Sequence, residues 1–132
     1  MNWINANIKW IMLISGVITC SMLLSTVLPS AGLLNTFGET LPDAPIMQIV
    51  VRNWGALIGL MGGMLIYGAF HPVQRSFILV VASISKVIFI SLVLLFGREY
   101  LSKAGIAVVF DSLVVVLFVA YLLSVNGKPT NN

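Results

Sequence analysis

Two charged residues stand where an isolated ion is most costly. Lys86 lies within SFILVVASISKVIFISLVLLF and Asp111 within AGIAVVFDSLVVVLFVAYLLSV, both otherwise apolar. Lys86 precedes the apolar end of its segment at Phe96 by ten residues, and Asp111 stands seven residues into the next segment. If both segments cross a bilayer, a central lysine carries an insertion penalty of roughly 3 kcal/mol and must face an interior or stretch toward a headgroup. The link GREYLSK is short, so the two helices are antiparallel. At 1.5 Å per residue that puts Lys86 about 15 Å and Asp111 about 10 Å below the same surface. A lysine stem covers the offset, and a Lys86–Asp111 pair is the natural inference.

Other polar groups can join this pair. Arg52 and Asn53 begin the second apolar helix on the same side, and an inward-turned Arg52 would compete for Asp111. Ser83 lies one turn before Lys86, and Ser112 adjoins Asp111. In the first apolar segment Ser15, Thr19, Met22 and Thr26 follow a helical spacing that could line the same space, although serines and threonines often bond their own helix carbonyls. Two readings of the cluster stand side by side. In one, the ions lock helices in register, since intramembrane charges need partners whatever the protein does. In the other, Arg52, Asn53, Ser83, Lys86 and Asp111 line a polar pocket for a substrate, ion or proton.

Other chemistries are poorly served. One cysteine, Cys20, excludes an intramolecular disulfide and a cysteine-based zinc cage, and one histidine, His71, excludes a histidine-rich metal site. No nucleophile and base pair up by motif. No cofactor is expected. The net charge of +3 suits loop charges that orient helices better than a nucleic-acid surface.

The elements that must position the pair follow from composition. Of 132 residues, 59% are hydrophobic and 8% charged, with a mean hydropathy of +1.06. A water-soluble domain of this size could not keep that balance. Four segments reach the roughly 20 residues that a membrane helix needs, at about 8–28, 48–70, 76–96 and 104–125. They predict a single all-α domain, an antiparallel four-helix membrane bundle. Strands are disfavoured because an open sheet edge in lipid leaves backbone groups unpaired, and no barrel-like alternation is present. The first segment is longer than a signal-peptide core and is expected to persist as a span. Only HPVQR separates the second and third segments, which predicts a tight hairpin, and NGKPTNN reads as a polar tail.

The connection 29–47, PSAGLLNTFGETLPDAPIM, is the one long link. It carries Glu39 and Asp43 but no lysine or arginine, and its leucines and Phe37 are too apolar for a freely solvated loop. A partly ordered segment at the interface or over the bundle mouth is expected, either as a simple cap or as a lid. Gly55, Gly59 and Gly63, four apart with Gly62 beside them, predict a helix face for close backbone packing. An internal partner is favoured over a second copy because four spans offer several neighbours. Trp3, Trp10, Trp54 and Tyr100 read as interface anchors, and His71 before Pro72 as a helix end.

An even number of spans puts both termini on one side. Lys9, Arg75 and Lys128 lie there, against Arg52, Arg98 and Lys103 opposite. Because Arg52 falls inside an apolar segment rather than a loop, the count favours cytoplasmic termini.

The run RNWGALIGLMGGMLIYGAF, the short HPVQR turn, the SISK third helix and an aspartate in the fourth resemble the DoxX-like group of small bacterial four-helix membrane proteins. The resemblance spans most of the chain and rests on hydropathy, the arginine-led glycine-rich helix and the long first link. It implies the fold and an inner-membrane location and leaves the activity open. The leading expectation is a non-enzymatic bundle that binds or moves a small anionic or lipid-like molecule. The alternatives are an accessory subunit of a larger membrane complex and a quinone- or lipid-linked membrane enzyme. Expected partners are membrane lipids, a small-molecule or lipid ligand, and a second copy or larger complex on the glycine face.

Overall fold

The computed structural model describes residues 2–126, which leaves the expected polar tail from Gly127 onward, with Lys128, outside the described residues. Among the described residues every regular element is helical. The first span is α1 (Asn2–Cys20), continued through a 3-10 turn at Ser21–Leu23 into the short α2 (Leu24–Val27). The link contains α3 (Pro29–Phe37). The remaining spans are α4 (Pro45–Phe70), α5 (Pro72–Phe96) and α6 (Leu101–Asn126), the last preceded by a 3-10 turn at Arg98–Tyr100. Four of these helical stretches are long and apolar enough to cross a membrane, and the protein is an integral membrane bundle.

Three prolines punctuate the chain. Pro29, Pro45 and Pro72 each occupy the first turn of a helix, where a missing N–H has no intrahelical partner to lose. The residues before them, Leu28, Ala44 and His71, are non-helical, as the proline ring requires. One expectation is corrected here. The five-residue turn HPVQR reduces to His71 alone, because Val73, Gln74 and Arg75 continue the helix that Pro72 starts. Hydropathy marks where a helix is apolar, and helices run past that limit into the polar interface. Arg75 fastens the hairpin by donating from Nε to the Gly68 carbonyl at 3.1 Å and from Nη2 to the Ala69 carbonyl at 2.8 Å. Both carbonyls lie in the last turn of α4, where that of Gly68 also accepts from the His71 amide at 3.4 Å.

The spans form a ring in chain order. α1 packs on α4, α4 on α5, α5 on α6, and α6 returns to α1. On the side of the termini the ring is filled by Met12, Leu65, Leu79, Ala82, Val114 and Phe118. Asn5 Nδ2 donates to Ser124 Oγ at 2.9 Å and ties α1 to α6 at that end, a contact worth about 0.6 kcal/mol in a bilayer setting.

The tightest seam lies between the first span and α4, and it uses glycine differently from the expected pattern. Gly55, Gly59 and Gly62 are buried, whereas Gly63 is exposed with nothing near its missing Cβ. The expectation for Gly63 is therefore corrected to Gly62. Four-residue steps drift around a helix of 3.6 residues per turn, so the third contact falls at the seventh residue after Gly55 rather than the eighth. A Cβ on Gly62 would stand 2.5 Å from the Cys20 amide nitrogen and 2.7 Å from the Gly16 carbonyl oxygen. One on Gly55 would stand 2.7 Å from the Met22 carbonyl oxygen. Backbone thus lies directly on backbone, the arrangement that drives helix association where lipid removes the hydrophobic force.

The link folds over the end of the ring opposite the termini, as its composition predicts. α3 contacts α2, α4 and α6, and Gly32 is buried against Ser25. Gly38 ends α3 in the left-handed region (φ 75), and its amide bonds the Leu34 carbonyl at 2.9 Å. Phe37 then enters an aromatic group, with ring centroids 5.8 Å from Trp54, 5.7 Å from Tyr100 and 6.3 Å from Phe89.

Candidate functional site

Lys86 Nζ donates to an Asp111 carboxylate oxygen at 2.6 Å, across the α5–α6 seam. The pair is largely buried, with the side chains 8% and 16% exposed. It is the one ion pair among the described residues. The short link at Gly97 makes it: two antiparallel helices carry the residues to neighbouring depths, and the lysine stem closes the difference. The Phe110 ring, with its centroid 5.9 Å from Nζ, covers one side of the ammonium. Neither the other Lys86 hydrogens nor the second Asp111 oxygen has a protein partner among the described residues, and that oxygen is not sealed off.

Both residues line a cavity of about 820 Å³ in the half of the bundle nearer the links. All four spans contribute: Thr19 and Met22 from the first, Trp54 and Met61 from α4, Phe89 from α5 and Phe110 from α6. Asn35 and Thr36 of α3 roof it, and Lys103 stands at its rim. The volume falls within the roughly 300–1,000 Å³ typical of small-molecule pockets, and a mostly apolar wall with a few convergent polar groups has the usual character of such pockets. Toward the termini it gives way to the packed core of Met12, Leu65, Leu79 and Phe118. The arrangement is a blind chamber with a charged pair in its wall.

The other expected site residues are not brought to this chamber. Arg52 is exposed and turned outward, where Nη1 donates to the Thr26 carbonyl at 2.8 Å and Nε to Gln48 Oε1 at 3.3 Å. Outside the bundle a guanidinium can satisfy its donors on backbone and water, so it does not compete for Asp111. Asn53 is exposed beside it and does not line the chamber. Ser83 is buried, but its hydroxyl has no hydrogen-bond partner and lies off the chamber wall, where Ser85 stands instead. Ser112 bonds its own helix at the Val108 carbonyl, and Thr26 donates to the Arg52 carbonyl. Of the polar stripe on the first span only Thr19 and Met22 reach the chamber.

Several lining residues escaped the sequence reading. Trp54 and Tyr100, expected as interface anchors, pack on Phe37, and Trp54 also lines the chamber. Phe89 lies three residues after Lys86 and Phe110 immediately before Asp111. Aromatic side chains next to an intramembrane ion are the signal that would have found them. Among the described residues no three of His, Cys, Asp and Glu come together to hold a metal ion. No protein-family model, no curated protein and no solved structure matches this chain.

Proposed function

We propose that the protein is a small, non-enzymatic inner-membrane protein that binds or moves a small lipid-like molecule in the chamber at Lys86 and Asp111. The observation that carries this reading is the blind chamber of about 820 Å³, apolar along its walls and ending on an ion pair with spare hydrogen-bonding capacity. A purely structural pair needs no such space beside it. Of the anionic and lipid-like classes, the lipid-like one is favoured because Asp111 already neutralises Lys86. The glycine face was the basis for an accessory-subunit role, and it is buried within the chain. That role has no specific support.

The same proposal includes membership of the DoxX-like group, on the sequence features that resemble it, and a bacterial inner membrane with cytoplasmic termini. The orientation rests on the sequence count alone, Lys9, Arg75 and Lys128 against Arg98 and Lys103, with Arg52 set aside because it lies within an apolar segment. Native mass spectrometry of gently extracted protein tests the binding role. A lipid-like molecule should travel with the parent and be lost from Ala107→Trp, which fills the chamber wall. Empty parent protein, or a variant that keeps the molecule, would overturn the reading.

A further inference from the structure

The chamber is roofed in part by α3 and bounded toward the termini by the core, yet it is not sealed. Every lining residue from α4 and α5 is buried or half-buried, as the inner wall of a bundle should be. The exposed lining residues are Ile18 and Ser21 of the first span, Asn35 of α3, and Ser102, Lys103 and Ile106 of α6. Ile106 is 84% exposed and Ile18 47% exposed while both also line the chamber. Such residues stand on the frame of an opening. The first span and α6 touch in the terminal half, through the Asn5–Ser124 bond and the packing of Met12 near Phe118. In the other half the chamber lies between them. The opening therefore faces the side of the bundle, and at 1.5 Å per residue Ile106 lies about 7.5 Å below the start of α6. Counted from the start of the apolar segment at Ala104, Ile106 lies about 3 Å into the span, at the upper edge of the lipid chains.

The chemistry at the inner end selects the head of what passes through. Lys86 and Asp111 already neutralise each other at 2.6 Å. An ionised carboxylate or phosphate brought against them would leave a net negative charge in a site shielded from water, and the effective penalty for such an ion is several kcal/mol. An uncharged hydroxyl avoids this. It can accept from a remaining Lys86 hydrogen and donate to the free Asp111 oxygen, satisfying both at once. Asp111 lies about 7.5 Å deeper along α6 than Ile106, so a head that reaches it leaves its chain trailing through the opening into the bilayer.

We propose that the chamber is loaded sideways from the bilayer, between the first span and α6, by a single-chain lipid with an uncharged hydroxylated head such as a monoacylglycerol, the head seated on Lys86 and Asp111. This rests on the binding role proposed above and adds the route, the orientation and the class of head.

The test uses the full chain in phosphatidylcholine nanodiscs and two photoreactive monoacylglycerols, one with its diazirine beside the head and one with it at the chain end. The head-side probe should label the peptide containing Phe110 and Asp111, whereas the chain-end probe, whose reactive carbon trails past Ile18 and Ile106 into the bilayer, should spare it and label lipid and the outer helix faces. Unlabelled monoolein should compete, while oleate at alkaline pH should need roughly tenfold more, equivalent to about 1.4 kcal/mol. Ile106→Trp alters a lipid-facing side chain and should leave thermal stability unchanged, yet it should slow labelling several-fold. Deep labelling by the chain-end probe would overturn the orientation. Equal competition by oleate would overturn the uncharged head, and unchanged labelling of Ile106→Trp would overturn the side opening. In each of those cases the chamber is still occupied and the binding role stands. If neither probe labels any chamber residue while another molecule travels with the extracted protein, only the proposed ligand class falls. If nothing travels with it either, the binding role falls as well.

Discussion

A Cβ on Gly62 would stand 2.7 Å from the carbonyl oxygen of Gly16, so at this crossing the backbones of α1 and α4 meet directly, flanked by the Cys20 and Ile66 side chains. The neighbouring glycines differ in what opposes them. At Gly59 the added carbon would meet the end of the Leu23 side chain, which can rotate away, and at Gly63 it would meet nothing.

These differences set a graded series. Gly62→Ala should destabilise by about 1–3 kcal/mol because the backbone of α1 must shift. Gly59→Ala should be milder. Gly63→Ala should gain up to about 1 kcal/mol from helix propensity alone. Thermal unfolding of the three variants in one detergent checks the order, and equal losses at Gly62 and Gly63 would refute this account of the seam.

The fold was largely legible in the sequence and the lining of the site only partly so. Lengths of apolar sequence located four spans, and the depth of Lys86 and Asp111 along antiparallel helices implied their pairing. Hydropathy could not see that Pro72 starts a helix rather than extending a turn. A strict four-residue count chose Gly63 over Gly62 because it ignored the rotation of the helix. Arg52 and Asn53 share the bilayer side of the pair, but depth alone does not say which way a side chain faces. Trp54 was unreadable for a related reason: its inward direction depends on Phe37, which arrives from a link whose path the sequence leaves open.

That path makes the roof a separate test. Gly38 adopts a left-handed conformation that costs a residue with a side chain about 1–2 kcal/mol, and each Phe37 aromatic contact is worth about 0.5–1.5 kcal/mol. Gly38→Val and Phe37→Ala should each increase hydrogen exchange in the link between the first span and α4 while leaving the spans protected. Exchange that rises uniformly through α4 and α6 would mean that the roof is part of the global fold.

Ser83, expected to line the pocket, lies off its wall and carries a prediction about stability instead. Its hydroxyl is buried without a partner, and such a group retains a desolvation penalty of about 1–3 kcal/mol. Ser83→Ala should therefore leave stability unchanged or raise it, with no effect on molecules retained in the chamber. A clear loss in melting temperature would reveal a bond from this hydroxyl.

The Lys86–Asp111 pair separates packing from function. Removing one partner strands the other in a site shielded from water, so Lys86→Met and Asp111→Asn should each destabilise by about 3–5 kcal/mol. The double variant leaves no uncompensated charge and should be less damaged than the sum, with a coupling of about 0.5–3 kcal/mol measurable in a double-mutant cycle. If the pair only holds α5 against α6, the recovered double variant should retain whatever travels with the parent protein. If it also seats a polar head, that variant should fold and yet hold it more weakly, because methionine removes the ammonium donor and leaves only the neutral asparagine amide to meet the head. Additive losses would show that the two charges, although 2.6 Å apart, are energetically independent, and the assignment of the site would fall with them.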